Sequence, residues 1–349
     1  MLSKLTNDLA GQPMFILKQR ISQLESQGRK IIHLEIGDDV RNTSDVVKKA
    51  TIDSINNNET HYTLSGGTPE LKEAISKDTQ KEYGFTPSHD EIVVMPANAI
   101  IDFVARCTCD RGDRVFIPNP CFPTYISVVK YLGLKIHLNG KLIILNSPSN
   151  PTGEMMDKWE ILGAINTGNW VLLDDVYSKL VFDKVEKLDY SKVDRSRLII
   201  LKSFSKTYSM AGFRLGYAIC NKVLAEKMML LFQTIFSCMP TFIQRAGIAA
   251  LESEDKFLPE RLTYLKECRD IMVDGLNGNG IKCPSPQGAF YVFPDVSKTR
   301  LTEDLLLKNN VAALDGKYFG SNGVGHLRMC FAREKTDLRT AIDIIRKIV

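Results

Sequence analysis

Five short apolar runs, "EIVVM", "RVFIP", "KLIIL", "WVLLD" and "RLIIL", recur through the first two thirds of the chain, each bounded by polar or turn residues. They are continuous rather than alternating, the pattern of strands covered on both faces of a parallel sheet. Between several of them lie stretches long enough for helices, such as "NAIIDFVARCTC" and "DKWEILGAI". Parallel neighbours need a crossover, and crossover helices cover the faces, so the alternation predicts an open α/β layer structure. After about Cys238 the pattern changes to a long helical stretch, "PTFIQRAGIAALESEDKFLPERLTYLKECRDIMVDGLNG". "GAFYVFPDV" and "GHLRMCFA" then read as strands and "TDLRTAIDIIRKIV" as a closing helix. A chain of 349 residues is too long for one small core. The expectation is a large α/β/α domain over residues 36–238, and a smaller α+β domain built from residues 1–35 and 239–349.

Composition narrows the partners. The formal net charge of +4 is spread along the chain, without a block of like charges or a basic stripe interleaved with aromatics, so nucleic acid is not an expected partner. The opening "MLSKLTNDLAGQPMFILKQRISQLESQGRK" has no apolar core followed by a small-residue cleavage site, and no later run approaches the roughly 20 apolar residues that span a bilayer. A cytoplasmic protein without membrane contact is expected. The eight cysteines are scattered, which favours reduced thiols over a disulfide framework. Cys107 and Cys109 are too close for a CxxC site and no further pair or nearby histidine completes a zinc set, so no metal is expected.

The residues that follow the strands carry the chemistry. "KLIIL" runs into "NSPSNPTG", "WVLLD" into "DVYSKL" and "RLIIL" into "KSFSKTYS". In an open α/β sheet ligands gather beyond the carboxyl ends of the strands. One rim therefore receives Asn150, Asp174 with Tyr177, and Lys206. A lysine there is either a solvated surface group or an amine whose proton is displaced by burial and neighbouring cations, so that it can form an imine. Its company favours the second. Ser203, Ser205 and Arg214, the last eight positions on, offer hydroxyls and a forked cation to a phosphate. Asp174 suits the ring nitrogen of a pyridine used as an electron sink, Asn150 and Tyr177 suit its phenolate oxygen, and Phe122 in "NPCFPTY" suits its face.

In this order, "HYTLSGGTPELKEAI", "RGDRVFIPNPCFPTY", "SPSNPTG", "DDVY", "SFSKTYSMAGFRLGY", "GAFYVFP" and "HLRMCFA" resemble the class I/II aminotransferases, fold-type-I enzymes dependent on pyridoxal 5'-phosphate, over nearly the whole chain. The resemblance implies that Lys206 holds the cofactor as a Schiff base, Asp174 pairs with the pyridine nitrogen, and Asn150 and Tyr177 bind the phenolate oxygen. It further implies that Ser203, Ser205 and Arg214 hold the phosphate and that Phe122 stacks on the ring. Arg328 would grip the substrate's α-carboxylate, with Gly37 and Asn150 beside it, and Tyr62 would reach the phosphate of the other subunit of a homodimer.

The implied reaction is ping-pong transfer of an amino group between an amino acid and a 2-oxo acid. A decarboxylase or C–S lyase of the same fold is the alternative, and Tyr177, where such lyases often carry histidine, favours transamination. Three departures stand out. "MPANA" places Pro96, which has no N–H, where the family usually offers backbone donors, so that contact passes to Ala97 and Asn98. Between "YLGLKIHLNG" and "KLIILNSP" the chain is shorter than the family pattern by roughly a strand and its loop. "ALDGKYFG" has Asp315 where relatives usually show proline, and the amino acid substrate stays open.

Overall fold

The computed structural model describes residues 11–183, 185, 186 and 188–349; the first ten residues of the expected small domain, with the start of the segment read for a leader, lie outside them. In chain order the strands are β1 Ile32–His33, β2 Ile92–Val94, β3 Arg114–Phe116, β4 Lys135–Ile136, β5 Leu142–Asn146 and β6 Trp170–Asp174. They continue as β7 Leu198–Ser203, β8 Gly216–Ile219, β9 Tyr291–Val292, β10 Val311–Ala312, β11 Leu314–Asp315 and β12 Leu327–Cys330. A seven-stranded sheet in the order β2-β8-β7-β6-β5-β3-β4 forms the centre. From β4 to β7 every neighbour is parallel, whereas β8 runs antiparallel to both β7 and β2. All of β5 and β7 is buried, which is why their sequences are continuous apolar runs.

Two strands of this sheet, β4 and β8, fall outside the five apolar runs. β4 is two exposed residues at the edge, and β8 opens on Gly216, so neither carries the signal of a doubly covered strand. The "EIVVM" run is fully buried as expected, but its one partner is the reversed β8. The expected helices form at Ala97–Thr108 and Lys158–Asn166, the second opened by a capping box in which Asp157 and Glu160 exchange bonds. A smaller antiparallel sheet, β11-β12-β9, and the pair β1-β10 lie outside the central sheet.

The helix Thr241–Gly278 links the cores, with Pro259 inside its 38 residues. Its first part contributes Ala246 and Ala250 to the core around the central sheet, and its later part contributes Leu265, Cys268 and Met272 to a second core with Tyr291, Met329 and Ile345. No helix among the described residues is long and apolar enough to cross a membrane. All eight cysteines are unpaired.

A buried ionic cluster ties this helix to the sheet. Lys179, on the turn after β6, meets Asp78 and Glu254, each at 2.5 Å, and Lys202 of β7 meets Glu82 at 2.8 Å. Asp78 and Glu82 belong to the helix Pro69–Tyr83 and Glu254 to the helix Thr241–Gly278. All five side chains are buried, so each charge depends on its partners. Lys179→Met is expected to leave two buried carboxylates without their cation and to cost roughly 3–5 kcal/mol, read as a lower urea midpoint. A midpoint equal to wild type would show that the cluster does not hold these elements together.

Candidate active site

The register Asn146↔Asp174 between β5 and β6, and Asp174↔Leu201 between β6 and β7, brings the carboxyl ends of three strands to one rim. Asn146 joins the first two: its Nδ2 donates to the Asp174 carbonyl at 2.9 Å and its Oδ1 accepts from the Asn150 N–H at 2.7 Å. The chain then turns through "NPTG", where Gly153 takes φ +71° and a side chain would collide with Pro286 and the Gly288 carbonyl. Asn150 is fixed at the rim by this arrangement.

Asp174 is buried, and the Tyr125 hydroxyl donates to its Oδ2 at 2.5 Å. Its Oδ1 has no donor among the described residues. Burial raises its pKa to about 6, opposed by the bond from Tyr125 and by the nearby Val176 N–H, reinforced by the charge of Asp175 and opposed again by Lys206. A carboxylate with one buried, unpartnered oxygen lacks a donor, and a protonated ring nitrogen is a group of that kind.

Lys206 lies one strand away, in the short helix Phe204–Thr207 that ends β7. Ser203 caps this helix by accepting from the Ser205 N–H at 3.2 Å. The lysine is partly exposed as a residue, but its amine points inward, donating to the Gly37 carbonyl at 2.5 Å, with the Phe290 and Tyr177 rings at 5.6 and 6.0 Å. Burial pulls its pKa down to about 8; Asp38 and Cys330 oppose this, and the cations Arg328 and Arg214 add to it. Gly37 has no room for a side chain, because an ideal Cβ would overlap the Tyr291 hydroxyl and lie 2.8 Å from its Cζ. That hydroxyl is 2.8 Å from the hydroxyl of Tyr177.

Arg328 of β12 is fully buried, with its guanidinium 4.6 Å from the Tyr291 ring and 5.1 Å from that of Phe319. It donates to Asn150 Oδ1 at 3.3 Å and to the Glu35 carbonyl, and its Nε is unpartnered among the described residues. Since Asn150 Oδ1 faces Arg328, the amide nitrogen of Asn150 remains the side that can donate elsewhere.

Other expected residues stand around this centre. Ala99 and Ile100 donate back to the Pro96 carbonyl, so the N–H groups of Ala97 and Asn98 are the free first-turn donors of the helix Ala97–Thr108. Gly216 lies against them, for a Cβ there would come 3.0 Å from the Ala97 nitrogen. Arg214 takes φ +56° and holds the Ala211 carbonyl at 2.7 Å, with its charge felt at Lys206. Phe122 packs edge-on against Tyr125, 5.7 Å between centroids. Tyr62 is not part of the group: it is 88% exposed, and no hydrogen bond or ring contact joins it to the others among the described residues.

Tyr125, Tyr291 and Asn146 were not expected, yet they orient Asp174, Tyr177 and Asn150. Tyr125 sits three residues after Phe122, close to it on the same helical side, which is a signal the spacing contained. Tyr291 gave none, because Tyr177 is distant in sequence, whereas Asn146 lies four residues before Asn150, from whose N–H it accepts. Asp315 caps the turn Gly316–Phe319 by accepting from the Lys317 N–H at 2.9 Å, and it pairs with the Lys317 amine.

A family model described as aminotransferase class I and II matches residues 29–345. A probable aspartate aminotransferase of Methanocaldococcus jannaschii is 33% identical, over 91% of this chain and 93% of the relative. A (5-formylfuran-3-yl)methyl phosphate transaminase of the same organism is 31% identical, over 94% of each. The crystal structure of the aspartate aminotransferase of Rhizobium meliloti superposes with a TM-score of 0.90 at 27% identity, covering 100% of this chain and 98% of that one.

An amine reacts only when neutral, so the depressed pKa of Lys206 has a direct readout. In cofactor-free protein, the rate of reductive methylation of Lys206 by formaldehyde and cyanoborohydride should rise as pH passes through about 8, whereas an ordinary lysine rises toward 10.5. Mass spectrometry of the peptide resolves the two profiles. A Lys206 profile like that of exposed lysines would remove the electrostatic argument.

Proposed function

The chain belongs to the class I and II aminotransferases and is a pyridoxal-phosphate-dependent aminotransferase, and from that premise we propose how its own residues divide the work. The observation that carries the reading is the unpartnered Oδ1 of Asp174 at the end of β6 together with the inward-facing amine of Lys206 in the short helix that follows the adjacent parallel β7. When bound, pyridoxal 5'-phosphate supplies an aldehyde carbon that an amine can join and a ring that takes up the electron pair left when a bond at the substrate's α-carbon breaks.

Lys206 would be the amine that holds the cofactor at its aldehyde carbon, and as a free amine it would be the base placed to take the proton from the substrate's α-carbon. Its pKa near 8 suits an amine that must both release and take up a proton. Asp174, through Oδ1, keeps the ring nitrogen protonated, and Tyr125 holds the carboxylate in place. The amide nitrogen of Asn150 and the hydroxyl of Tyr177 donate to the ring's phenolate oxygen. Ser203, Ser205, Arg214 and the free N–H groups of Ala97 and Asn98 hold the phosphate, in keeping with the preference of a helix N-terminus for anions. Phe122 covers the ring. Arg328 receives the α-carboxylate, since a planar fork fits a carboxylate in a way an ammonium does not, and Gly37, whose lack of a side chain lets the Tyr291 hydroxyl pack against it, offers its backbone beside that carboxylate.

On this reading the cofactor is carried by residues 36–238 and covered by 1–35 with 239–349. Amino acids and 2-oxo acids are the substrates, and the relatives named as aspartate aminotransferases make aspartate the first donor to test. The unpaired cysteines suit a reduced, cytoplasmic setting. Borohydride reduction of the holoenzyme followed by peptide mapping should place the label on Lys206, and a panel of amino acids should bleach the absorption of the lysine-bound cofactor for the true donors. A label on Lys202 or Lys179 would overturn the assignment.

The working unit on this reading is a homodimer. Tyr62 and Leu64 are exposed at 88% and 60%, on a segment held by a 3.4 Å bond from the Thr63 N–H to Cys238 Sγ, next to the exposed Ile235 and Phe236. Clustered apolar side chains left in water are the mark of an interface. Tyr62→Ala and Lys206→Ala chains refolded together should regain activity above that of either alone, because a mixed dimer contains one site with both residues sound. A fully active monomer in sedimentation would refute the shared site.

A further inference from the structure

Resting on the assignment of Lys206 above, we infer that Arg261 is a positioning residue for the Lys206 amine, fixing the lysine turn and the segment that carries Gly37 to one another. Arg261 projects from the helix Thr241–Gly278, two residues after Pro259, and is 4% exposed. A buried guanidinium is tolerated when its donors are used; here both terminal nitrogens are, and Nε alone has no partner among the described residues. Nη2 donates to the Lys206 carbonyl at 2.6 Å and pairs with Asp39 Oδ2 at 2.6 Å. Nη1 donates to the Thr207 carbonyl at 2.6 Å and to Ser209 Oγ at 2.8 Å.

The placement of these acceptors is the argument. The helix Phe204–Thr207 has four residues, too few to hold its own shape, and its terminal carbonyls have no partners within it. Ser203 secures its start, and Arg261 secures its end. The other arm of the guanidinium reaches Asp39, two residues beyond the Gly37 carbonyl that receives the Lys206 amine. Thr43 closes the same segment onto the turn by donating to the Ser209 carbonyl at 2.6 Å. Segment 35–43 also supplies the Glu35 carbonyl that accepts from Arg328. One buried cation therefore fixes the separation between the backbone of Lys206 and the strip of chain that meets both its amine and the carboxylate-binding arginine. Arg245, on the same helix but 34% exposed, pairs instead with Glu59 at 2.8 Å and serves as the control for loss of an arginine ion pair away from the lysine turn.

The test compares holoenzymes of wild type, Arg261→Met, Arg261→Lys and Arg245→Met. It measures kcat and KM, the pH titration of the lysine-bound cofactor's absorption, and the urea midpoint. The charged and titratable groups around the amine (Asp38, Asp174, Cys330, Arg214 and Arg328) are unchanged in every variant. Arg261→Met should lower kcat per loaded site by about tenfold to a hundredfold, the scale of an ångström-sized misplacement. It should also move the titration midpoint by about half a unit or more, while Arg245→Met moves neither. Arg261→Lys keeps the charge but not the fork, so it should change kcat and midpoint in the same direction and by less; it serves as the measurement if the methionine variant does not fold. Titration and kcat within about twofold of wild type, less than 0.5 kcal/mol of barrier, would overturn the inference whatever the urea midpoint does. Borohydride labelling of wild type separates the two claims: a label away from Lys206 overturns both, and a label on Lys206 with unchanged Arg261 variants overturns this one alone.

Discussion

The parallel register of β5, β6 and β7 is the constraint on which the site depends. Because side chains alternate along a strand, a slip of one residue would turn Asp174 toward the opposite face of the sheet. The register is held by the burial of all three strands on both faces and by Asn146, which bonds across from β5 to the Asp174 carbonyl. With those strands fixed, Asn150, Asp174 and Lys206 arrive at one edge without further instruction, and the smaller sheet has only to bring Arg328 and Tyr291 over them.

The protein treats its buried charges in two ways. Arg261 and Arg328 spend their terminal nitrogens on backbone carbonyls and on oxygens of Asp39 and Asn150, and Lys179 and Lys202 are matched by Asp78, Glu82 and Glu254. Lys179, Lys202 and Arg261 are structural by that criterion, since carboxylates within the fold answer their charge, whereas Arg328 meets only neutral oxygens and keeps an Nε unpartnered among the described residues. Asp174 and Lys206 are left short: one carboxylate oxygen has no donor, and the amine has a single carbonyl. Their pKa values move toward each other, to about 6 and about 8, because burial penalises both charged forms. A buried acid and a buried base with shifted titration at one strand edge are the kind of pair that reacting centres use.

The departures from the family pattern have local physical accounts. The helix that begins after Pro96 still leaves the N–H groups of its next two residues unused among the described residues, so the proline removes one donor and not all of them. The shortened stretch before Lys141 leaves β4 as a two-residue exposed edge and places it away from the rim where the side chains converge. Asp315 is a capping residue whose carboxylate is engaged by Lys317.

The sequence by itself determined the elements that have a strong local cause. Continuous apolar runs specified the doubly covered strands, and the spacing of polar residues after them specified which side chains reach the rim, including Lys206, Asp174 and Asn150. Tertiary structure alone decided the rest, because it turns on contacts between segments far apart in the chain. The reversal of β8, the two-residue edge strand β4, the pairing of Tyr291 with Tyr177 and of Tyr125 with Asp174, and the four contacts of Arg261 have no signature within a window of neighbours. A lysine, an arginine and an aspartate read alike in sequence whether solvated or buried. Only the fold determines which of them are desolvated and left without partners, and that is the property on which the chemistry rests.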